Sequence, residues 1–248
     1  MLRVTANTQL MREIVDLLSV LTEEAKMSWG EKGLTVNVVD GSHVALLSAT
    51  ISDACFETYE CEPVELGLEL GKLRDLLTLA GPSDLVEIDY DDAVGTVNVR
   101  VGEVHRILRG LDTNTMQGAN LPVLDFDCNA TISAEKFSRA LRAAKFVGEI
   151  VDLDMDNKEM RVSVSVEAGE SVNIRFEAGE LIDLVCPSST KGSYSLQFLD
   201  PLTRKLAAGL AHDVKVQFQE KYPLRLDWTS NDGGASWVYF LAPRVTND

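Results

Sequence analysis

Residues 133–147 read SAEKFSRALRAAKFV, and the architecture is decided by how that stretch repeats. Phe137, Ala140, Leu141 and Ala144 follow the i, i+3, i+4, i+7 spacing of one apolar helical face. Lys136, Arg139, Arg142 and Lys145 recur every three residues and, at 100° per residue, point the opposite way. The stretch predicts a helix with Ser133 as its N-cap, an apolar back and a cationic front. It lies in a chain of 248 residues whose formal net charge is −16.

The pattern occurs three more times. Residues 7–21, NTQLMREIVDLLSVL, predict a helix capped by Asn7 or Thr8, with Leu10, Ile14, Leu17, Leu18 and Leu21 inward. Residues 71–80, GKLRDLLTLA, predict a short one stopped by GPSD. Asp200 followed by Pro201 reads as a cap and first helical position, starting a fourth helix over 200–211. After each helix comes an alternating hairpin: AKMSWG to LTVNVVD, LVEIDY to TVNVRVG, EIVDLDMD to MRVSVSV, and VKVQFQ to PLRLDW. VALLSATIS, CFETYEC, VNIRFEA and YSLQFL add further strands.

Helix starts near 8, 71, 133 and 200 are 63, 62 and 67 residues apart, which marks an internal repeat. The fold class is α+β: short helices packed on one face of antiparallel sheets. Residues 110–125, GLDTNTMQGANLPVLD, have no periodicity and are rich in turn formers. They predict two similar domains of two repeats each, at 1–110 and 126–248, joined by a connector at 111–125.

No apolar run reaches the roughly 18 residues of a membrane span, and the N-terminus turns polar at once, so the expected compartment is the cytoplasm. Cys55, Cys61, Cys128 and Cys186 are scattered without a CxxC pair, and His43, His105 and His212 lie far from them. This reads as four reduced, mostly buried thiols rather than a zinc site. The acidity fits either a partner of basic proteins or the general surface acidity of proteins from salt-rich cytoplasm. Its even spread along the chain favours the second.

Charge is nevertheless partitioned. The four predicted helices hold nine bases, Arg12, Lys72, Arg74, Lys136, Arg139, Arg142, Lys145, Arg204 and Lys205, against five acids. Their net of +4 leaves −20 for the remainder. Glu87, Asp89 and Asp91, and likewise Asp152, Asp154 and Asp156, alternate with apolar residues and so fall on one face of a strand. One such helix alone would be a solvated face. Four at repeat spacing in so acidic a chain predict a surface for a polyanion, making sequence-independent phosphate contacts. A hole for duplex DNA would be on the order of 35 Å across and need about eleven helices roughly 10 Å wide. Four per chain then suggest three chains and twelve helices, closed head to tail.

Catalytic signatures are missing: there is no P-loop, G-x-S-x-G or G-x-G-x-x-G. Asp152, Asp154 and Asp156 open like a calcium loop, but Asn157 follows and Ser163 stands where the bidentate Glu belongs. No metal or cofactor is expected. Two other readings remain open, a metal-dependent nucleic-acid hydrolase using the strand carboxylates and an acidic protein scaffold that never meets DNA.

DGSHVALL at 40–47, Leu121–Pro122, KYPLRLDW at 221–228 and VYFLAPRV at 238–245 resemble the PCNA family of sliding clamps, and the resemblance covers essentially the whole chain. The acidity is similar to that of a member from a salt-loving archaeon. The resemblance implies a non-enzymatic homotrimeric ring around double-stranded DNA. It implies tethering of DNA polymerase, a clamp loader of the replication factor C type, flap endonuclease and DNA ligase through PIP-box motifs. The pocket for that motif should involve Val39, His43, Val44, Leu46, Leu121, Pro223, Phe240, Leu241, Ala242 and Pro243. Subunits should join through edge strands at 99–107 and 170–177, with Arg100, His105, Arg106, Glu170, Asn173, Arg175 and Glu177 at the joint. Topological enclosure rather than affinity is expected to keep such a ring on DNA.

Overall fold

The computed structural model describes residues 1–244 except 82, 92, 117, 168 and 232. Pro82 in the expected helix stop, Asp92 in the expected turn, Gln117 in the connector and Val245 therefore lie outside the described residues. The chain divides into two compact units, residues 1–121 with 232–236 and residues 122–231 with 237–248.

The first unit runs β1 (Leu2–Asn7), α1 (Thr8–Leu18), β2 (Glu24–Gly30), β3 (Gly33–Val39), β4 (Ala45–Ser52), β5 (Thr58–Cys61), β6 (Val64–Glu69), α2 (Leu70–Thr78), β7 (Leu85–Asp91), β8 (Thr96–Val101) and β9 (Val104–Arg109). The second runs β10 (Asn129–Ser133), α3 (Ala134–Lys145), β11 (Ile150–Met155), β12 (Glu159–Ser165), β13 (Ser171–Glu177), β14 (Asp183–Val185), β15 (Thr190–Ser195), α4 (Leu196–Lys205), β16 (Asp213–Gln217), β17 (Leu224–Thr229) and β18 (Ala235–Leu241).

Strand order repeats between the units. β5-β1-β7-β8-β9 in the first matches β14-β10-β16-β17-β18 in the second. β4-β3-β2-β6 likewise matches β13-β12-β11-β15. Helix starts at 8, 70, 134 and 196 are 62, 64 and 62 residues apart, more regular than the sequence pattern suggests.

Each helix buries its apolar stripe. On α1, Leu10, Ile14, Leu17 and Leu18 are buried, and Asn7 caps the helix by accepting from the Leu10 amide at 2.8 Å. α1 packs on α2, β1 and β7. On α3, Phe137, Ala140, Leu141 and Ala144 are buried against β10, β11, β12 and α4. Each large apolar side chain removed from water there stabilises the unit by about 1.5–3 kcal/mol. Ser133 occupies the N-cap position without a side-chain capping bond.

Two expectations are corrected. YSLQFL is not a strand throughout, because α4 begins at Leu196 and Pro201 lies inside it. Leu196, Leu199, Leu202 and Leu206 form a helical apolar face and are all buried, which outweighs the backbone bond that proline cannot make. Asp200 is accordingly not a cap. Nor are all four cysteines reduced: Cys128 and Cys186 form a disulfide. The β10–β14 register pairs Asn129 with Val185, so one step outward these two cysteines face each other. Their 58-residue separation hides that proximity in the sequence. Cys55 and Cys61 are not part of a disulfide.

The start of the connector is stitched to the first unit. The Leu111 amide donates to the Gly67 oxygen at 2.9 Å, and Asn37 Nδ2 donates to the Ala119 oxygen at 3.1 Å. Gly67 is required there, since a Cβ would sit 2.9 Å from both Leu111 Cβ and Met116 Sδ.

Candidate nucleic-acid interface and docking segments

The nine helical bases divide sharply by what they touch. In the first unit, Arg12 donates to the Leu77 and Ala80 oxygens at 2.7 and 3.1 Å, closing the end of α2. Lys72 pairs with Glu69, and Arg74 lies 3.9 Å from Asp16. In the second unit, Lys145 and Arg204 share one buried carboxylate, Asp200, at 3.0 and 2.8 Å. Lys205 is engaged as well. Lys136, Arg139 and Arg142 make no hydrogen bond or ion pair with another described residue.

Net helical charge follows the same division. α1 and α2 together carry three bases and three acids, for zero. α3 and α4 carry six bases and two acids, for +4. Equivalent helices start 126 residues apart, and equivalent positions have exchanged sign: Asp16 corresponds to Arg142, and Arg74 to Asp200. The positive front read from the sequence thus belongs to the second unit. The sequence showed the bases but not which carboxylates occupy them; the Asp200–Arg204 spacing of four was the available signal.

Asp200 is only 3 % exposed. Burial pushes its carboxyl upward, but the bonds from Arg204 and Lys145 and their charges prevail and hold it below the ordinary range.

The strand carboxylates lie on the polar faces expected of alternation, opposite buried Val86, Ile88, Tyr90, Val151, Leu153 and Met155. Asp89 accepts from Arg3 at 2.8 Å, and Glu87 pairs with Arg100 at 3.2 Å. Asp156 sits in the β11–β12 turn, accepting from the Lys158 and Glu159 amides.

The segments expected to take a partner motif fall in both units. In the first, Val39 and Leu46 are cross-strand partners of β3 and β4, both half-buried. The loop between them is built on Asp40, which sequence reading overlooked although Asp-Gly-Ser is a turn signal. Its carboxylate accepts from the amides of Ser42, Val44 and Ala45 at 2.8, 2.7 and 2.6 Å. His43 is exposed at φ 56°, a left-handed conformation uncommon for a residue with a side chain. Leu121, at the end of this unit, is exposed. In the second, Pro223, Ala242 and Pro243 are half-buried. Phe240 lies under the Arg225 guanidinium, 5.6 Å from the ring centre. Leu241 is fully buried, so it supports this segment from the core rather than lining its surface.

β9 and β13 each end a sheet, at an open edge. His105 and Arg106 lie on β9, with Arg106 reaching the Lys72 oxygen at 3.4 Å. Arg100 is not at that edge: it sits on β8, between β7 and β9. On β13, Asn173, Arg175 and Glu177 face Ser163, Arg161 and Glu159 across the ladder, and Glu170 precedes the strand.

Residues 1–114 match the family described as proliferating cell nuclear antigen, N-terminal domain. Across the full length, the chain is 26% identical to the DNA polymerase sliding clamp of Methanocorpusculum labreanum, with both chains covered completely. It is 27% identical to that of Natronomonas pharaonis over 94% of each chain, and 26% identical to that of Haloarcula marismortui over 99% and 98%. The chain is thus similar over its full length to sliding clamps, and its first 114 residues match the PCNA N-terminal domain. The PCNA fold is shared with two solved structures. One is the A. fulgidus PCNA with the C-terminal region of FEN-1 bound, at TM-score 0.92, 24% identity and complete coverage of both chains. The other is the PCNA of Thermococcus kodakaraensis, at TM-score 0.88 and 20% identity over 98% and 100%.

Proposed function

We propose that the chain is a DNA polymerase sliding clamp, a processivity factor without catalytic activity of its own, and that three copies close head to tail through β9 and β13 into a ring around duplex DNA, with the helices toward the phosphates. The observation that carries this reading is the row Lys136, Arg139 and Arg142, three cations spaced three residues apart on α3 without a side-chain partner among the described residues. Unpaired cations at that spacing suit a phosphate backbone and give no sequence preference. His105, Arg106, Glu170, Asn173, Arg175 and Glu177 lie at or beside the joining edges. Sedimentation should give a species about three times the 27.2 kDa chain mass. Loaded clamps should stay on nicked circular DNA and run off linear DNA at the same salt. A monomer, or equal loss from both DNAs, overturns the ring.

Partners are DNA polymerase, the clamp loader, flap endonuclease and DNA ligase, each bringing a short motif with an aromatic plug. The solved A. fulgidus relative carrying the FEN-1 C-terminal region supports this. The residues proposed to meet such motifs are Val39, His43, Val44, Leu46, Leu121, Pro223, Phe240, Ala242 and Pro243. The functional domains are 1–110 and 126–248 with the connector 111–125, a division supported by the split after Leu121. The clamp acts in the cytoplasm; among the described residues, no helix is long and apolar enough to cross a membrane.

A further inference from the structure

We infer that Asp200 limits how strongly the clamp holds DNA, by withdrawing Lys145 and Arg204 from the phosphate-facing charge. The inference rests on the helical layer facing DNA. Lys145 ends α3 three residues beyond Arg142, at the same spacing as Lys136, Arg139 and Arg142 but turned further round the helix. It differs from them in having its ammonium 3.0 Å from Asp200 Oδ2. Arg204 approaches from α4, its Nε 2.8 Å from Oδ1 of the same carboxylate. Both carboxylate oxygens are therefore occupied, one by each cation. The carboxylate side chain is 4 % exposed, while the two cations are 44 % and 53 % exposed. The cations reach the surface, but their charge is directed back to a fixed buried anion.

A phosphate recruiting either cation must compete with that anion at hydrogen-bond distance. Breaking the pair strands a buried charge, a costly outcome that weak, exchanging phosphate contacts do not offset. Asp200 thus removes two cations per chain from counterion release and leaves three. For a clamp that must slide, fewer phosphate contacts mean a smoother path. Asp200 is a positioning residue: it touches no DNA and acts through its two partners.

The test is the slope of log association constant against log salt for the full-length clamp on a short linear duplex. Each phosphate contact contributes about 0.9 to that slope. Asp200→Asn keeps the shape of the side chain and removes the charge. It should tighten binding at least threefold at low salt and steepen the slope. The gain should vanish when Asp200→Asn is combined with Lys145→Gln and Arg204→Gln. That triple variant, which strands no buried charge, should bind within twofold of the wild type, against a loss of tenfold or more for Arg139→Gln with Arg142→Gln. That comparison decides the matter even if Asp200→Asn does not fold. If Arg139→Gln with Arg142→Gln leaves binding unchanged, the DNA-facing reading itself falls. If it weakens binding while the triple variant weakens it equally, only the role of Asp200 falls. A folded Asp200→Asn with wild-type slope overturns that role too.

Discussion

Arg12 on α1 donates to the backbone oxygen of Leu77 on α2 at 2.7 Å, so a side chain from one helix finishes the other. The last carbonyls of a helix have no partner within it, and α2 is only nine residues long. Arg12→Met should destabilise the protein by about 1.5–3 kcal/mol, the range for a lost bond to a charged donor. Urea unfolding should show a lower midpoint at unchanged slope. Lysine should restore only part of the loss, because a single ammonium does not reproduce the planar fork.

Asp40 organises the loop that presents His43 and Val44. Asp40→Ala leaves the amides of Ser42, Val44 and Ala45 without their acceptor and should cost about 1–3 kcal/mol locally. Hydrogen exchange at Val44 and Ala45 should accelerate while that of β11 and β12 stays unchanged. A partner-motif peptide should bind roughly tenfold more weakly, the equivalent of about 1.4 kcal/mol. Wild-type exchange at Val44 and Ala45 in the variant would contradict the role given to this carboxylate.

Both Asp40 and Asp200 titrate below the usual carboxylate range. Burial alone would raise each; three backbone amides outweigh it at Asp40, and Arg204 with Lys145 outweigh it at Asp200. A native value below the unfolded one stabilises the fold fully above the unfolded value, near 3.9. That stability is lost as pH falls through the lower native values. Thermal midpoints of the wild type should therefore fall steeply below about pH 4. Asp200→Asn should show a shallower acid limb. An unchanged limb in both Asp200→Asn and Asp40→Asn would show that these groups do not set acid stability.

The Cys128–Cys186 bond ties the start of β10 to the end of β14 across a separation of 58 residues. Its removal by reductant should lower unfolding stability by about 2–4 kcal/mol. Cys128→Ser should match the reduced wild type and no longer respond to reductant. Alkylation with mass spectrometry should find Cys55 and Cys61 reactive and the other two protected until reduction.

Much of this was legible beforehand because it rests on short-range periodicity. The stripe of Phe137, Ala140, Leu141 and Ala144 specified α3, and alternation around Asp152 and Asp154 specified β11. Misreadings came from contacts made at a distance. Asp200–Pro201 has the local chemistry of a helix start, but the apolar positions at Leu196 and Leu199 extend α4 backward. The same aspartate then lies beside Lys145, 55 positions away. Arg12 looked like a surface base, and only the placement of α2 beside α1 shows the carbonyls it caps. Leu241 belongs to a segment recognisable by resemblance, yet its position in β18 turns it into the core.

β9 and β13 differ in sequence and position, and neither contains proline. Joining them leaves a free β9 at one end of any open assembly and a free β13 at the other. Growth stops only when the last copy meets the first. A variant with one edge disabled would still join through its good edge and then end the series. Mixed with the wild type, it would act as a chain terminator, so that a minority of defective copies would spoil many rings.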